Sequence, residues 1–149
     1  MKVTEFRSKI HSGQKMSLAG REFIAKEVVR FRFDDGSIYV KCFLGDGYAL
    51  ADDSNENIFI LVKEVDADIS EPFPKAFRFD GKEFAFSYSA HATAYEIEGE
   101  EIFKKGHSEL FSDYKADDGS YLSLGVVEET GKRMDLYGKI LTEKDVRFV

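Results

Sequence analysis

The sequence predicts an all-β fold, an antiparallel sandwich or barrel preceded by one short helix. Three observations carry this. Apolar residues alternate with polar ones along most of the chain, many of its 14 Phe and 7 Tyr fall at those alternating positions, and Gly- and Asp-rich turns interrupt the pattern about every eight to twelve residues. At 149 residues the chain suits a single domain, one that hides roughly 70% of the surface its unfolded form would expose. The 14% aromatic content argues against disorder despite 33% charged residues.

The elements follow in order. Thr4 to Ile10 suits a short helix, with Phe6 and Ile10 one turn apart. In Val29-Arg30-Phe31-Arg32-Phe33 the apolar side chains share one sheet face and the arginines the other. Asp34-Asp35-Gly36-Ser37 is a turn, and Ile38 to Leu44 returns as the second strand of a hairpin. Gly45-Asp46-Gly47 turns again into a short strand, Tyr48 to Ala51. After the polar loop Asp52 to Asn57, Ile58 to Val62 is apolar enough to be covered on both faces. Asp66 to Pro74 holds both prolines and reads as a joint. Beyond it, Phe77 to Phe79 and Phe84 to Tyr88 flank the tight turn Asp80-Gly81-Lys82, and Thr93 to Ile97 forms a separate strand ending at Gly99. Leu110 to Tyr114, Tyr121 to Val127 and Met134 to Leu141 complete the series.

Two short echoes divide the domain into similar halves, 1–70 and 71–149. Leu18-Ala19-Gly20-Arg21-Glu22-Phe23 is echoed by Phe79-Asp80-Gly81-Lys82-Glu83-Phe84, and Asp34-Asp35-Gly36-Ser37 by Asp117-Asp118-Gly119-Ser120. Because Asp and Gly dominate such turns for local steric reasons, convergent turn chemistry also produces matches of this length.

A net charge of −7 works against nucleic-acid binding, which needs a basic face to release counterions from phosphate. The charge is uneven: residues 1–70 carry 10 basic and 12 acidic groups, and residues 71–149 carry 11 and 16. No apolar run approaches the ~18 residues a membrane span needs, and the first residues lack a secretory apolar segment, so direct membrane insertion is not expected and a cytoplasmic location is.

The order of several turn and strand-end motifs resembles a bacterial family, Domain of Unknown Function 4178. In the first half these are Leu18-x-Gly-x-x-Phe23, Phe33-Asp34-Asp35-Gly36 and Leu50-Ala51-Asp52-Asp53; in the second, Phe79-Asp80-Gly81, Glu98-Gly99-Glu100, Gly106, Asp113-Tyr114, Leu122-Ser123 and Tyr137-Gly138-Lys139-Ile140-Leu141. Many members place tryptophans in the first half, and this chain has none. The resemblance implies no catalytic set. It implies an accessory role near membrane-stress and polyamine-related genes.

No catalytic, cofactor or metal residue is assigned. His11, His91 and His107 lack metal-ligand spacing, and His91, between alanines, reads as a satisfied core or edge residue. Cys42 reads as a small buried hydrophobe. Asp34-Asp35, Asp52-Asp53 and Asp117-Asp118 lack a calcium-loop pattern and read as solvated turn residues. Glu96, Glu98, Glu100 and Glu101 form an acidic patch for which a polyamine would be a natural, weakly indicated guest. Strands with apolar residues on both faces, such as Ile38/Val40 against Tyr39/Phe43, need cover from a second sheet, a partner or a ligand. Tyr39, Phe43, Tyr88 and Tyr95 are therefore the candidate contact residues. The resulting expectation is a non-catalytic binding module that meets a protein partner or a second copy of itself. The alternatives are a small-ligand receptor with a lipocalin-like, aromatic-lined pocket and, less favoured, a small enzyme.

Overall fold

A computed structural model describes residues 1–99 and 102–149. The chain opens with α1 (Val3–Lys9) and continues through β1 (Lys15–Leu18), β2 (Arg21–Ile24), β3 (Glu27–Phe33), β4 (Ile38–Gly45), β5 (Tyr48–Asp53) and β6 (Ile58–Val65). After an irregular joint come β7 (Ala76–Phe79), β8 (Lys82–Gly99), β9 (Ser108–Ala116), β10 (Ser120–Val127), β11 (Lys132–Leu141) and β12 (Val146–Phe148). The structure is all-β with one short helix. Thr93 to Ile97 is not a separate strand but the end of the 18-residue β8, because no turn residue interrupts the chain between Phe84 and Gly99.

Eight antiparallel strands close in the order β3-β4-β5-β6-β11-β10-β9-β8, with β8 pairing back onto β3. Closure removes the exposed edges that a sandwich would have to protect. The barrel consists of two meanders, β3 to β6 and β8 to β11, joined where β6 meets β11 and where β3 meets β8. β12, β1 and β2 form a separate three-stranded sheet. The echoed hexapeptides are both two-residue hairpins: Ala19-Gly20 joins β1 to β2 and Asp80-Gly81 joins β7 to β8, all four residues with positive φ, as a turn that matches strand twist requires. Each acidic turn is the second connection after its hairpin, Asp34 to Ser37 between β3 and β4 and Asp117 to Ser120 leading from β9 into β10.

Strand alternation sorts the side chains into three cores. Val29, Phe31, Tyr39, Phe43, Ala49, Val62, Phe111 and Leu136 belong to the cluster inside the barrel. On the outer wall, Val28, Val40, Cys42, Leu50 and Phe59 pack beneath α1 and the small sheet, with Phe6 edge-on to Phe59 at 5.1 Å. The run Ile58 to Val62 is thus covered on both faces, Phe59 and Leu61 on the outer wall and Ile60 and Val62 inside the barrel, whereas Lys63 and Glu64 beyond it are exposed. A third cluster sets Phe84, Tyr114, Leu122 and Leu124 beneath Ala67, Phe73 and Phe77 of the joint and β7.

A bulge changes the pattern at one informative place. The register between β8 and β9 shifts between Phe86 and Tyr88, so Phe86 stays outside against Tyr114 while Tyr88 turns in toward Phe111. One end of the barrel is closed by the segment after β8. Phe103 is 1% exposed and packs on Phe31 and Phe43, and the Glu27 carboxylate accepts the backbone N–H groups of Ile102 and Phe103. Among the described residues no helix is long and apolar enough to cross a membrane.

Candidate functional site

The other end of the barrel is open. A cavity of about 590 Å³ runs inward from the β3–β4 turn and the β5–β6 loop. Its volume lies within the range of small-molecule sites. Sequence creates the space: alanines occupy the inward positions 49 and 51 on β5 and 90 on β8, where larger side chains would fill an eight-stranded barrel. Phe33, Tyr39, Tyr88, Phe111, Ile60, Val62 and Leu136 supply aromatic and aliphatic walls.

Charged groups stand among these apolar ones. Lys41, between Tyr39 and Phe43 on the inner face of β4, lies with its Nζ 3.1 Å from Glu109 Oε1, and both side chains are almost fully buried. Tyr39 donates its hydroxyl to Glu109 Oε2 at 2.9 Å. Burial, then the Glu109 charge, holds this phenol well above its ordinary range. Two same-face positions further along β9, past Phe111, Asp113 is 4% exposed and accepts the Tyr121 hydroxyl through Oδ2. Its other oxygen, Oδ1, is buried and accepts no hydrogen bond from any described residue. Burial raises the Asp113 carboxyl to about 6, against the lowering influence of Tyr121, Ser123 and Lys41. Tyr121 is raised by burial and then by Asp113. Tyr88 forms part of the rim: 44% of its surface is exposed, yet burial of its hydroxyl end, then the Asp113 charge, lifts its phenol in the same sense.

The mouth is acidic. Asp34, Asp35, Asp53 and Glu56 line it. Asp35 accepts the backbone N–H and hydroxyl of Ser37, and Asp53 caps the β5–β6 loop through the N–H groups of Asn55 and Glu56. The cations at the mouth are engaged. Arg7 grips Asp52 with two bonds of 2.6 and 2.9 Å, and His91 sits between Asp34 and Glu128 at 2.7 Å from each. The Asp34 hydrogen bond leads the causes that raise the imidazole above its usual range.

The chain matches no family model, no curated protein and no solved structure. The reading of the site therefore rests on its geometry. Of the four candidate contact residues, Tyr39 and Tyr88 line the main cavity. Phe43 lies deeper, stacked on Phe103, and borders a smaller pocket of about 240 Å³ at the closed end. Tyr95 is absent from both linings and lies under the Arg32 guanidinium, 4.5 Å away.

The acidic turns need a correction. Asp52 is not a solvated turn residue: it is 4% exposed, because it lies within β5 on the outer face, where Arg7 of α1 covers it. Of the acidic patch, Glu96 and Glu98 face Arg30, at 3.7 and 2.7 Å, while Glu100 and Glu101 lie outside the described residues. Cys42 is buried on the outer wall, away from the cavity, and burial pushes its thiol up. The Ser108 hydroxyl lies 2.8 Å from a carboxylate oxygen of each of Glu128 and Glu129, its single proton shared between them, and is not paired with a histidine. Among the described residues no group of His, Cys, Asp or Glu is arranged to hold a metal ion. The residues that sequence reading passed over are Lys41, Glu109, Asp113 and Tyr121. Their signal was a charge in phase with an apolar face: Lys41 between Tyr39 and Phe43, and Glu109 and Asp113 on either side of Phe111.

Proposed function

We propose that the protein is a non-catalytic receptor or carrier that encloses one small molecule in the open end of the barrel. The observation that carries the reading is the cavity of about 590 Å³, walled by aromatic and aliphatic side chains and holding a few buried polar groups, the usual composition of a ligand site. A protein-docking module would need a broad apolar face. The exposed large apolar side chains of the described residues, Ile24, Phe86, Tyr88, Ile102, Leu110 and Val149, are instead spread over β2, β8, β9, the stretch before β9 and the residue after β12.

The test is binding of the neutral dye N-phenyl-1-naphthylamine, followed by fluorescence. One dye per chain is expected to bind, and Ala51→Phe combined with Ala90→Phe is expected to abolish binding while the melting transition persists, since both alanines line the cavity. Dye binding that is absent in the wild type, or unchanged in a folded filled variant, would overturn the reading.

A further inference from the structure

We infer that the occupant is a small organic cation, a protonated primary amine on an apolar or aromatic body, whose N–H donates to Asp113 Oδ1. The inference rests on the receptor reading and names the ligand class. Four observations support it.

First, Asp113 is 4% exposed and lines the cavity beside the Ser123 and Tyr88 hydroxyls, and its buried Oδ1 accepts no hydrogen bond from any described residue. Leaving such an atom unsatisfied costs free energy that a ligand N–H would recover.

Second, the charges around it do not balance. The groups that face Asp113 are Lys41 and Tyr39 from β4, Asp53 from β5, Tyr88 from β8, Glu109 from its own strand, and Tyr121 with Ser123 from β10. Inward residues of β6 and β11, Ile60, Val62 and Leu136, carry no charge. Lys41 lies within 3.1 and 3.3 Å of the two Glu109 oxygens and so neutralises that carboxylate, leaving Asp113 without a cation of its own.

Third, the rim repels anions. Asp34, Asp35, Asp53 and Glu56 surround the opening, while Arg7 is held by Asp52 and His91 by two carboxylates. A mouth of one sign draws in ligands of the other.

Fourth, the walls suit the same guest. Tyr88 and Tyr39 stand edge-on to Phe111, with centroids 6.0 and 6.1 Å away, and aromatic faces attract organic cations. A quaternary ammonium would satisfy the charge but has no N–H to give Oδ1, so the primary amine is preferred.

The experiment is calorimetry on the full chain near pH 7.5 with three matched probes: 2-phenylethylamine, 2-phenylethanol and 3-phenylpropanoate. The amine is expected to bind at least about tenfold more tightly than the alcohol, and the carboxylate not to bind. Asp113→Asn, whose amide oxygen still accepts from Tyr121, should remove the amine's advantage over the alcohol. On the wild-type protein, lowering the pH to about 5 should weaken the amine alone as Asp113 takes up a proton. If the neutral dye binds but the amine is no better than the alcohol or carboxylate, the cation inference falls and the receptor reading stands. If the dye does not bind, the receptor reading falls and this inference with it. Amine affinity that is unchanged at pH 5 in the wild type would also overturn the inference, whatever the variant does.

Discussion

Lys41 and Glu109 meet inside the barrel with Nζ 3.1 Å from Oε1, and Tyr39 donates to the other carboxylate oxygen. With the side chains only 6% and 2% exposed, neither charge can turn to water if its partner is removed. Lys41→Met should therefore lower stability by about 3–5 kcal/mol, because it strands the Glu109 charge. Removing both charges, as Lys41→Met with Glu109→Leu, should recover more than half of that loss. Urea unfolding of the two variants checks the pair, and a double variant no better than the single would show that the charges are not coupled.

Asp113 predicts a pH dependence of the opposite sense to that of an ordinary ion-paired aspartate. Burial raises its folded pKa to about 6 from an ordinary 3.8, so between those values the folded chain binds more protons than the unfolded one, and this group's contribution falls as pH rises. The penalty is absent below about pH 4 and complete above about pH 7. Asp113→Asn should be more stable than wild type at neutral pH by about 1–3 kcal/mol, with the difference vanishing near pH 4. His91 and the exposed carboxylates titrate in both proteins, so they cancel when the two unfolding curves are subtracted. A destabilising Asp113→Asn at neutral pH would contradict the account.

Two arginine pairs of similar length should differ in value. Arg7 binds the fully buried Asp52 side chain, and also reaches the Ile38 carbonyl at 2.8 Å, clamping α1 onto the barrel. Arg78 and Glu83 are only 2.5 Å apart but both about two-thirds exposed. Arg7→Ala should cost about 3 kcal/mol because Asp52 is left buried without its cation, whereas Arg78→Ala should cost less than about 1 kcal/mol. Thermal melts of the two variants test the contrast, and equal losses would refute it.

Much of the fold was legible because β-structure repeats at a period of two. Val29, Phe31 and Phe33 on one face, and Arg30 and Arg32 on the other, assign the inside and outside of β3 without reference to any other strand. The hairpins at Asp34–Ser37 and Asp80-Gly81 are equally local, since steric demands select their residues. Barrel closure was not legible, because the pairing of β3 with β8 joins residues 59 to 72 positions apart through backbone bonds that carry no side-chain signature. The site was half legible for a related reason. Tyr39 follows simple alternation into the cavity, but Tyr88 reaches it only through the bulge, and a strict period of two would have put it on the outer face with Phe86. Asp113 is plain in the sequence as a charge in phase with Phe111. Its missing partner depends on where Lys41 and Tyr121 fall across the barrel.

Gly138 tests the frame that holds the site. It pairs with Val62 where β11 crosses β6, beside the inward-facing Leu136. A Cβ at this position would lie 1.9 Å from the Leu61 carbonyl oxygen and 2.7 Å from Val62 Cα, both backbone atoms that cannot move without displacing the strand. Gly131, in the β10–β11 turn, is the converse: a Cβ there meets nothing within 4 Å, but its φ of +73° disfavours a side chain. Gly131→Ala should cost about 1 kcal/mol through backbone strain alone, and Gly138→Ala should cost more than about 3 kcal/mol because the two meanders must part to admit the methyl group. Because β6 and β11 supply Ile60, Val62 and Leu136 to the cavity wall, any Gly138→Ala protein that still folds should also bind the neutral dye more weakly than wild type. Denaturant melts of both variants and a dye titration of Gly138→Ala measure this, and a Gly138→Ala protein as stable as wild type would mean that the β6–β11 seam is not closed as described.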